Sequence, residues 1–155
     1  MLQKLKAMLE ASHSSARLSE LKPEPSVAVC AVLLEVASAD NDFAVEERHA
    51  IAELIGAHFD LNSDEAEALM DQAQKERTVS PDLWPFTHTI SQHFLPEEKA
   101  QVMEMVWRVV FADGRLDAHE EMLVRKLQSM LGVNHSLVMD AKQRAREFAA
   151  TIDLS

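Results

Sequence analysis

Tyrosine is absent from this 155-residue chain, and glycine occurs only 3 times and proline 5 times. So few chain breakers and so few strand formers exclude a β-rich protein and point to helices throughout. Cysteine occurs once, at Cys30, so an intramolecular disulfide is excluded. Cys30 lies in an apolar run, where a thiol buried in the core is expected, and a reducing compartment fits it. Gly-rich phosphate loops are missing, and no Ser or Cys stands in a nucleophile setting. The N-terminal stretch MLQKLKAMLEASH has no continuous apolar segment of the kind a signal peptide needs. The longest apolar run, Val27 to Ala39, is interrupted by Glu35 and Ser38 and is too short to span a bilayer. A cytoplasmic protein is the expectation.

Positive charge is also scarce. Lys plus Arg is 15 against 26 Asp plus Glu, a formal charge of −11. Such a surface repels phosphate backbones, which argues against nucleic acid as a partner, and attracts cations or a basic protein face. An apolar content of 47% is too high for a disordered acidic tail and large enough, at this length, for a real core.

What is present is helical periodicity. Residues 2–10 carry Leu2, Leu5, Met8 and Leu9 on one face, and Ser12 to Pro25 reads as a linker with four serines and two prolines. The first helix is too short and too rich in lysine for a membrane anchor, so a strut against the domain is expected. Residues 1–25 thus form an N-terminal helix and linker, and 26–150 a single helical domain. Residues 26–39 are apolar around the whole helix, as a central buried helix requires. An amphipathic helix follows at 44–59, with Val45, Ile51, Leu54, Ile55 and Phe59 inward. Asn62 with Glu65 signals the cap of a helix at 63–76. Ser80-Pro81-Asp82 predicts a helix over 81–93 with Pro81 at its first position. Pro96-Glu97-Glu98 opens another to 112, with Val102, Met103, Val106, Trp107 and Val110 inward. Helices at 118–131 and 136–150 complete seven to eight, and Gly132 serves as the left-handed stop of the first of these. The fold class is all-α.

The main signal is an internal repeat. AVCAVLLEVASADNDFAVEERHAIAEL (28–54) aligns without a gap on QVMEMVWRVVFADGRLDAHEEMLVRKL (101–127), at an offset of 73. Of six identities, four are apolar: Val29/Val102, Val36/Val109, Ala39/Ala112 and Leu54/Leu127. The polar ones are Asp40/Asp113 and Glu47/Glu120. Asn41 lies over Gly114, both residue types that readily take the left-handed conformation ending a helix. Phe43 lies over Leu116. Each unit, about 28–60 and 101–133, is therefore an αα-hairpin, and the two should pack as a pseudo-twofold pair with the 63–93 helices as the connection.

Two readings of the shared carboxylates stand side by side. Glu47 and Glu120 fall in the first turn of a helix, where an anion meets the positive dipole end, and Asp117 with Glu120 fits a capping box. These need no metal, and seven residues from Asp to Glu are too few for an EF-hand loop. Asp40 and Asp113, however, end a helix, where an anion is disfavoured by roughly 0.3–1 kcal/mol. If the pseudo-twofold brings the turns together, four carboxylates converge, and a cation would relieve their repulsion. Oxygen donors without sulfur select Ca²⁺, Mg²⁺ or Mn²⁺, with Asp42 and Asp117 as extra ligands at non-equivalent positions.

Other constellations are weaker. Glu46-x-x-His49 has the spacing of half a di-iron site, but its only counterpart, Glu10-x-x-His13, lies in the N-terminal segment. His119 adjoins Glu120 and is more simply a surface histidine. Trp84, Pro85 and Phe86 are expected to fill the core beneath the connection, with a groove for a partner helix as the alternative. Met70, Met103, Met105, Met122, Met130 and Met139 lie mostly at core spacing, which leaves an adaptable Met-lined surface unneeded.

The paired segments ASADNDFAVEE, with Glu35 upstream, and FADGRLDAHEE resemble the two signature turns of the TerB-like family, over about residues 26–150. That family includes bacterial tellurite-resistance TerB and the N-terminal domain of a membrane-anchored J-domain co-chaperone. The resemblance implies an all-helical fold and a divalent-metal site on the acids of the two turns, here Asp40, Glu47, Asp113 and Glu120. It also implies a role in the response to tellurite and other chemical stress, through complexes near the inner membrane. Asn41 stands where the motif has Gly, and Arg115 stands where the first unit has Asp42, so a cation already sits beside Asp113. No His-Pro-Asp motif occurs, so a co-chaperone role by that route is excluded. The expected function is a non-enzymatic, metal-binding module acting through protein partners, and the alternative is a metal-free acidic scaffold for a basic partner.

Overall fold

The computed structural model describes residues 24–38, 45–112 and 118–153, and of 45–47, 119 and 151–153 the backbone alone. The expected first helix, most of the linker and both acidic turns lie outside the described residues. Seven helices and no strands are found among the described residues: α1 Pro25–Ser38, α2 Val45–Phe59, α3 Ser63–Val79, α4 Trp84–His93, α5 Pro96–Ala112, α6 Ala118–Leu131 and α7 His135–Asp153.

Local chemistry explains the boundaries. Proline opens α1 and α5, where its missing N–H costs nothing. The Leu95 N–H before α5 donates to Glu98 Oε1 at 2.8 Å. Asn62 caps α3 in a full capping box: its Oδ1 accepts from the Glu65 N–H at 2.8 Å, and its own N–H donates to Glu65 Oε1 at 3.0 Å. Helix α6 stops at Gly132, whose φ of 69° is left-handed, and the Val133 N–H donates back to the Gln128 carbonyl. Helix α2 stops in the same way at Asp60, φ 56°, where the Leu61 N–H donates to the Gly56 carbonyl at 2.8 Å. Aspartate is among the few residues other than glycine that tolerate this conformation.

One expected start is corrected. Helix α4 opens at Trp84, with Pro85 in its first turn, and not at Pro81. The Ser80 and Pro81 carbonyls are taken by Arg77 Nη1, at 3.2 and 2.6 Å, and Asp82 Oδ1 accepts from the Trp84 N–H at 3.0 Å. Residues 80–83 are therefore spent on the junction with α3.

Helix α1 is the hub. Residues 27–34, 36 and 37 are all buried, and α1 packs against α2, α3, α4, α5 and α6. Some pairings match between the two hairpins: α2 reaches α5 as α6 reaches α1, and α3 lies on α1 as α7 lies on α5, whereas the packing of α2 on α3 has no counterpart of similar extent between α6 and α7. Phe86, Leu33, Ile51, Ile55, Met70, Ile90, Met103, Leu127 and Leu131 fill the core. Three core expectations fail, Met139 among them, which is exposed. Trp84 is 55% exposed and stacks on His88 at 4.5 Å, and Met122 is 71% exposed.

The broadest helix contact joins α5 and α7, which run parallel. Their direction follows from the pairs along the seam. The Lys142 ammonium lies 4.8 Å from the Trp107 ring and the Arg146 guanidinium 5.7 Å from Phe111. On the other flank Arg144 pairs with Glu104, and Arg108 lies 4.1 Å over Phe148. On each flank, moving four residues up one helix moves four residues up the other.

Candidate functional site

Each acidic turn joins two described helix ends, so the site's location follows from where those ends lie. In the first unit they are Ser38 and Val45, and in the second Ala112 and Ala118. Arg48, in the first turn of α2, meets Glu67, Asp71 and Gln74 of α3, and Arg77, one turn further along α3, meets Glu35 in the last turn of α1, so α2 begins toward the end of α1 and its last turn lies toward the start of α1. That last turn holds His58, which the Glu98 carboxylate in the first turn of α5 acts on electrostatically. Helix α5 therefore begins where α1 begins. Packed on both α1 and α2, it ends where α1 ends. All four helix ends thus lie at one end of the bundle, here termed the turn end. Helix α4 starts there too, because Arg77 bridges Glu35 in the last turn of α1 and the carbonyls of residues 80 and 81.

The predicted site residues divide accordingly. Asp40, Asp42, Asp113 and Asp117 lie outside the described residues. Glu47 is the third residue of α2, and Glu120 is the third residue of α6, so the repeat's equivalence holds on the backbone. Glu120 is only 4% exposed. A carboxylate withdrawn from water in this way must be met by donors or positive charge, and the positive end of α6 supplies part of it. Among the described residues no three His, Cys, Asp or Glu side chains converge in a metal-holding group.

The donor chemistry fits a hard cation. All the candidate ligands are carboxylates, and Cys30 offers no thiolate: it is fully buried in α1, and burial pushes its thiol up to about 12.

Sequence reasoning missed the side chains that brace this end. Arg48, in the first turn of α2, donates to Glu67, Asp71 and Gln74 of α3. Arg77 of α3 donates to Glu35 Oε2 at 2.6 Å. A signal was present: Glu67, Asp71 and Gln74 recur at i, i+4 and i+7, one polar stripe on α3 facing an arginine.

A sequence model of the family described as tellurite resistance protein TerB matches residues 26–143, from the start of α1 into α7. No curated protein and no solved structure matches the chain. The family match takes in both hairpins and the helices that connect them, well over half of the sequence, and agrees with the all-helical architecture. The chain belongs to the tellurite resistance protein TerB family.

Proposed function

We propose that this TerB-family protein is a non-enzymatic module of the response to tellurite or other chemical stress, and that it holds a divalent cation at the turn end. Asp40, Glu47, Asp113 and Glu120 are the proposed ligands, with Asp42 and Asp117 as further oxygen donors. Ca²⁺, Mg²⁺ or Mn²⁺ suits such a set. The observation that carries the proposal is the common placement of the four helix ends that flank both acidic turns, with the Glu120 carboxylate buried beside one of them. A cation there would offset the charge of both turns and fix one hairpin against the other. A partner protein would then read the surface so formed.

Calorimetric titration of the EDTA-stripped chain with each cation tests this. Saturable binding at one site, abolished in Asp40→Asn/Asp113→Asn, is expected. Absence of binding by all three cations removes the proposal.

A second proposal has its own support. Trp84 and Met122 are exposed on helices that begin at the turn end. Large exposed apolar side chains beside acidic segments suit a basic partner with apolar anchors. On that basis the module is a metal-free scaffold, and its partner binding weakens with salt.

A further inference from the structure

We infer that the cleft where α6 passes into α7 is a binding site for the phosphate group of a small monoester. The cleft measures about 480 Å³, within the range of sites for small organic ligands. It is lined by Arg125, Gln128 and Ser129 from the last turns of α6, by Gly132 and Val133 in the turn, and by His135 at the first position of α7. It opens because these two helices, though joined in sequence, pack little on each other, whereas α2 and α3 pack closely.

The chain carries 26 Asp and Glu against 15 Lys and Arg, yet none of the described residues lining this cleft is acidic. Four of them bring side-chain donors instead. Arg125 uses Nη2 on Glu121 Oε1 at 3.0 Å within its own helix, in a pair whose side chains are 78% and 47% exposed. A pair so open to water holds the guanidinium weakly, and its other N–H groups meet no acceptor among the described residues. Gln128 Nε2 lies 3.4 Å from His135 Nδ1. An amide nitrogen can only donate, so in this arrangement Nδ1 accepts and the ring proton sits on Nε2, where it can meet a ligand. The Ser129 hydroxyl is a further donor. A phosphate group presents three terminal oxygens, all acceptors, and a guanidinium matches two of them as a fork. Val133 gives the organic part of the ester an apolar wall.

The turn does not itself call for these side chains. The junction after α2 is built in the same way: left-handed Asp60, apolar Leu61 and capping Asn62 correspond to Gly132, Val133 and Asn134. Aligned on these turns, Arg125, Gln128, Ser129 and His135 fall on Glu53, Gly56, Ala57 and Ser63. The first junction thus forms with neither the guanidinium nor the imidazole. It also closes tightly, since a Cβ on Gly56 would meet the Leu61 carbonyl oxygen at 3.0 Å. The donors of the second junction are therefore available to a ligand. Helix α6 starts at the turn end, and its 14 residues put the cleft about 20 Å from there. The inference goes beyond the cation reading and stands without it.

The test is titration of the isotope-labelled full chain with phenyl phosphate, and separately with inorganic phosphate, followed through the amide resonances by heteronuclear NMR. EDTA is present throughout, and salt is held at about 0.15 M so that general charge effects are screened. Phenyl phosphate is expected to move the resonances of residues 125–135 saturably, and inorganic phosphate to move the same ones with weaker affinity. Arg125→Gln loses a charge-assisted bond and should weaken phenyl phosphate binding about 10-fold or more. Glu121→Gln releases the guanidinium and should tighten it, a readout that holds even if Arg125→Gln does not fold. Arg144→Gln removes the same charge from a pair elsewhere on α7 and should leave binding unchanged. No saturable movement in wild type overturns the site, as does a loss in Arg144→Gln as large as in Arg125→Gln, or weaker binding in Glu121→Gln. Inorganic phosphate bound as tightly as phenyl phosphate overturns the monoester in favour of the free ion.

Discussion

At the residue scale, neighbours in sequence separate sharply by what surrounds them. Phe86 is fully buried, while Trp84, two positions away, is more than half exposed on the other side of α4. Phe86→Ala should cost about 3–5 kcal/mol in urea unfolding, and Trp84→Ala less than about 1 kcal/mol. A tryptophan substitution as costly as the phenylalanine one would contradict the packing described. Cys30 was legible from the sequence as a core thiol, because its apolar neighbours continue on every side of the helix. Its pKa of about 12 makes the native thiol unreactive. A thiol reagent at pH 8 should label Cys30 only as fast as the chain unfolds, and prompt labelling of native protein would place Cys30 outside the core. Trp84 was not legible as exposed: composition says only that a tryptophan is large and apolar. The reason it turns outward lies in where α4 begins. Pro85 has no N–H to give the Pro81 carbonyl, so the helix cannot start at Pro81, and Arg77 takes the Ser80 and Pro81 carbonyls instead.

At the scale of the element, helix interiors and caps could be read and helix registers could not. The capping box of α3, the left-handed stop at Gly132 and the uniformly apolar α1 all follow from a few residues of local pattern. The parallel seam of α5 and α7 does not, because Trp107–Lys142 and Arg108–Phe148 pair residues 35 and 40 positions apart. The end of α2 carries a pH dependence. Burial lowers the pKa of His58 below its ordinary 6.5, and the Glu98 charge opposes that shift. A lowered pKa means that the folded state favours neutral imidazole. The stability contributed above pH 6.5 is therefore lost as pH falls through the folded-state value. His58→Gln should flatten the stability profile just below pH 6.5 in urea unfolding at fixed temperature. An unchanged slope there would assign the loss to other groups.

At the scale of the whole molecule, the duplicated hairpin was the feature that the sequence stated most openly, and several, not all, of the helix pairings match between its copies. Its two polar identities, Asp40/Asp113 and Glu47/Glu120, pointed to one end of the bundle, and the directions of α1, α2 and α5 bring the four flanking helix ends there. The bracing by α3 stayed hidden because it depends on which face of α3 meets α2, a tertiary fact. The central claim is that a cation joins the two hairpins, so thermal unfolding is its most direct test. The melt would be recorded in EDTA and then with Ca²⁺, Mg²⁺ or Mn²⁺ restored, on wild type and on Asp40→Asn/Asp113→Asn. At about 100 times its dissociation constant the bound cation should stabilise wild type by about 2.7 kcal/mol and leave the double variant unchanged. A wild-type midpoint that no cation moves, together with a double variant as stable or more stable in EDTA, would contradict the account and leave the turn end as an acidic surface for a basic partner.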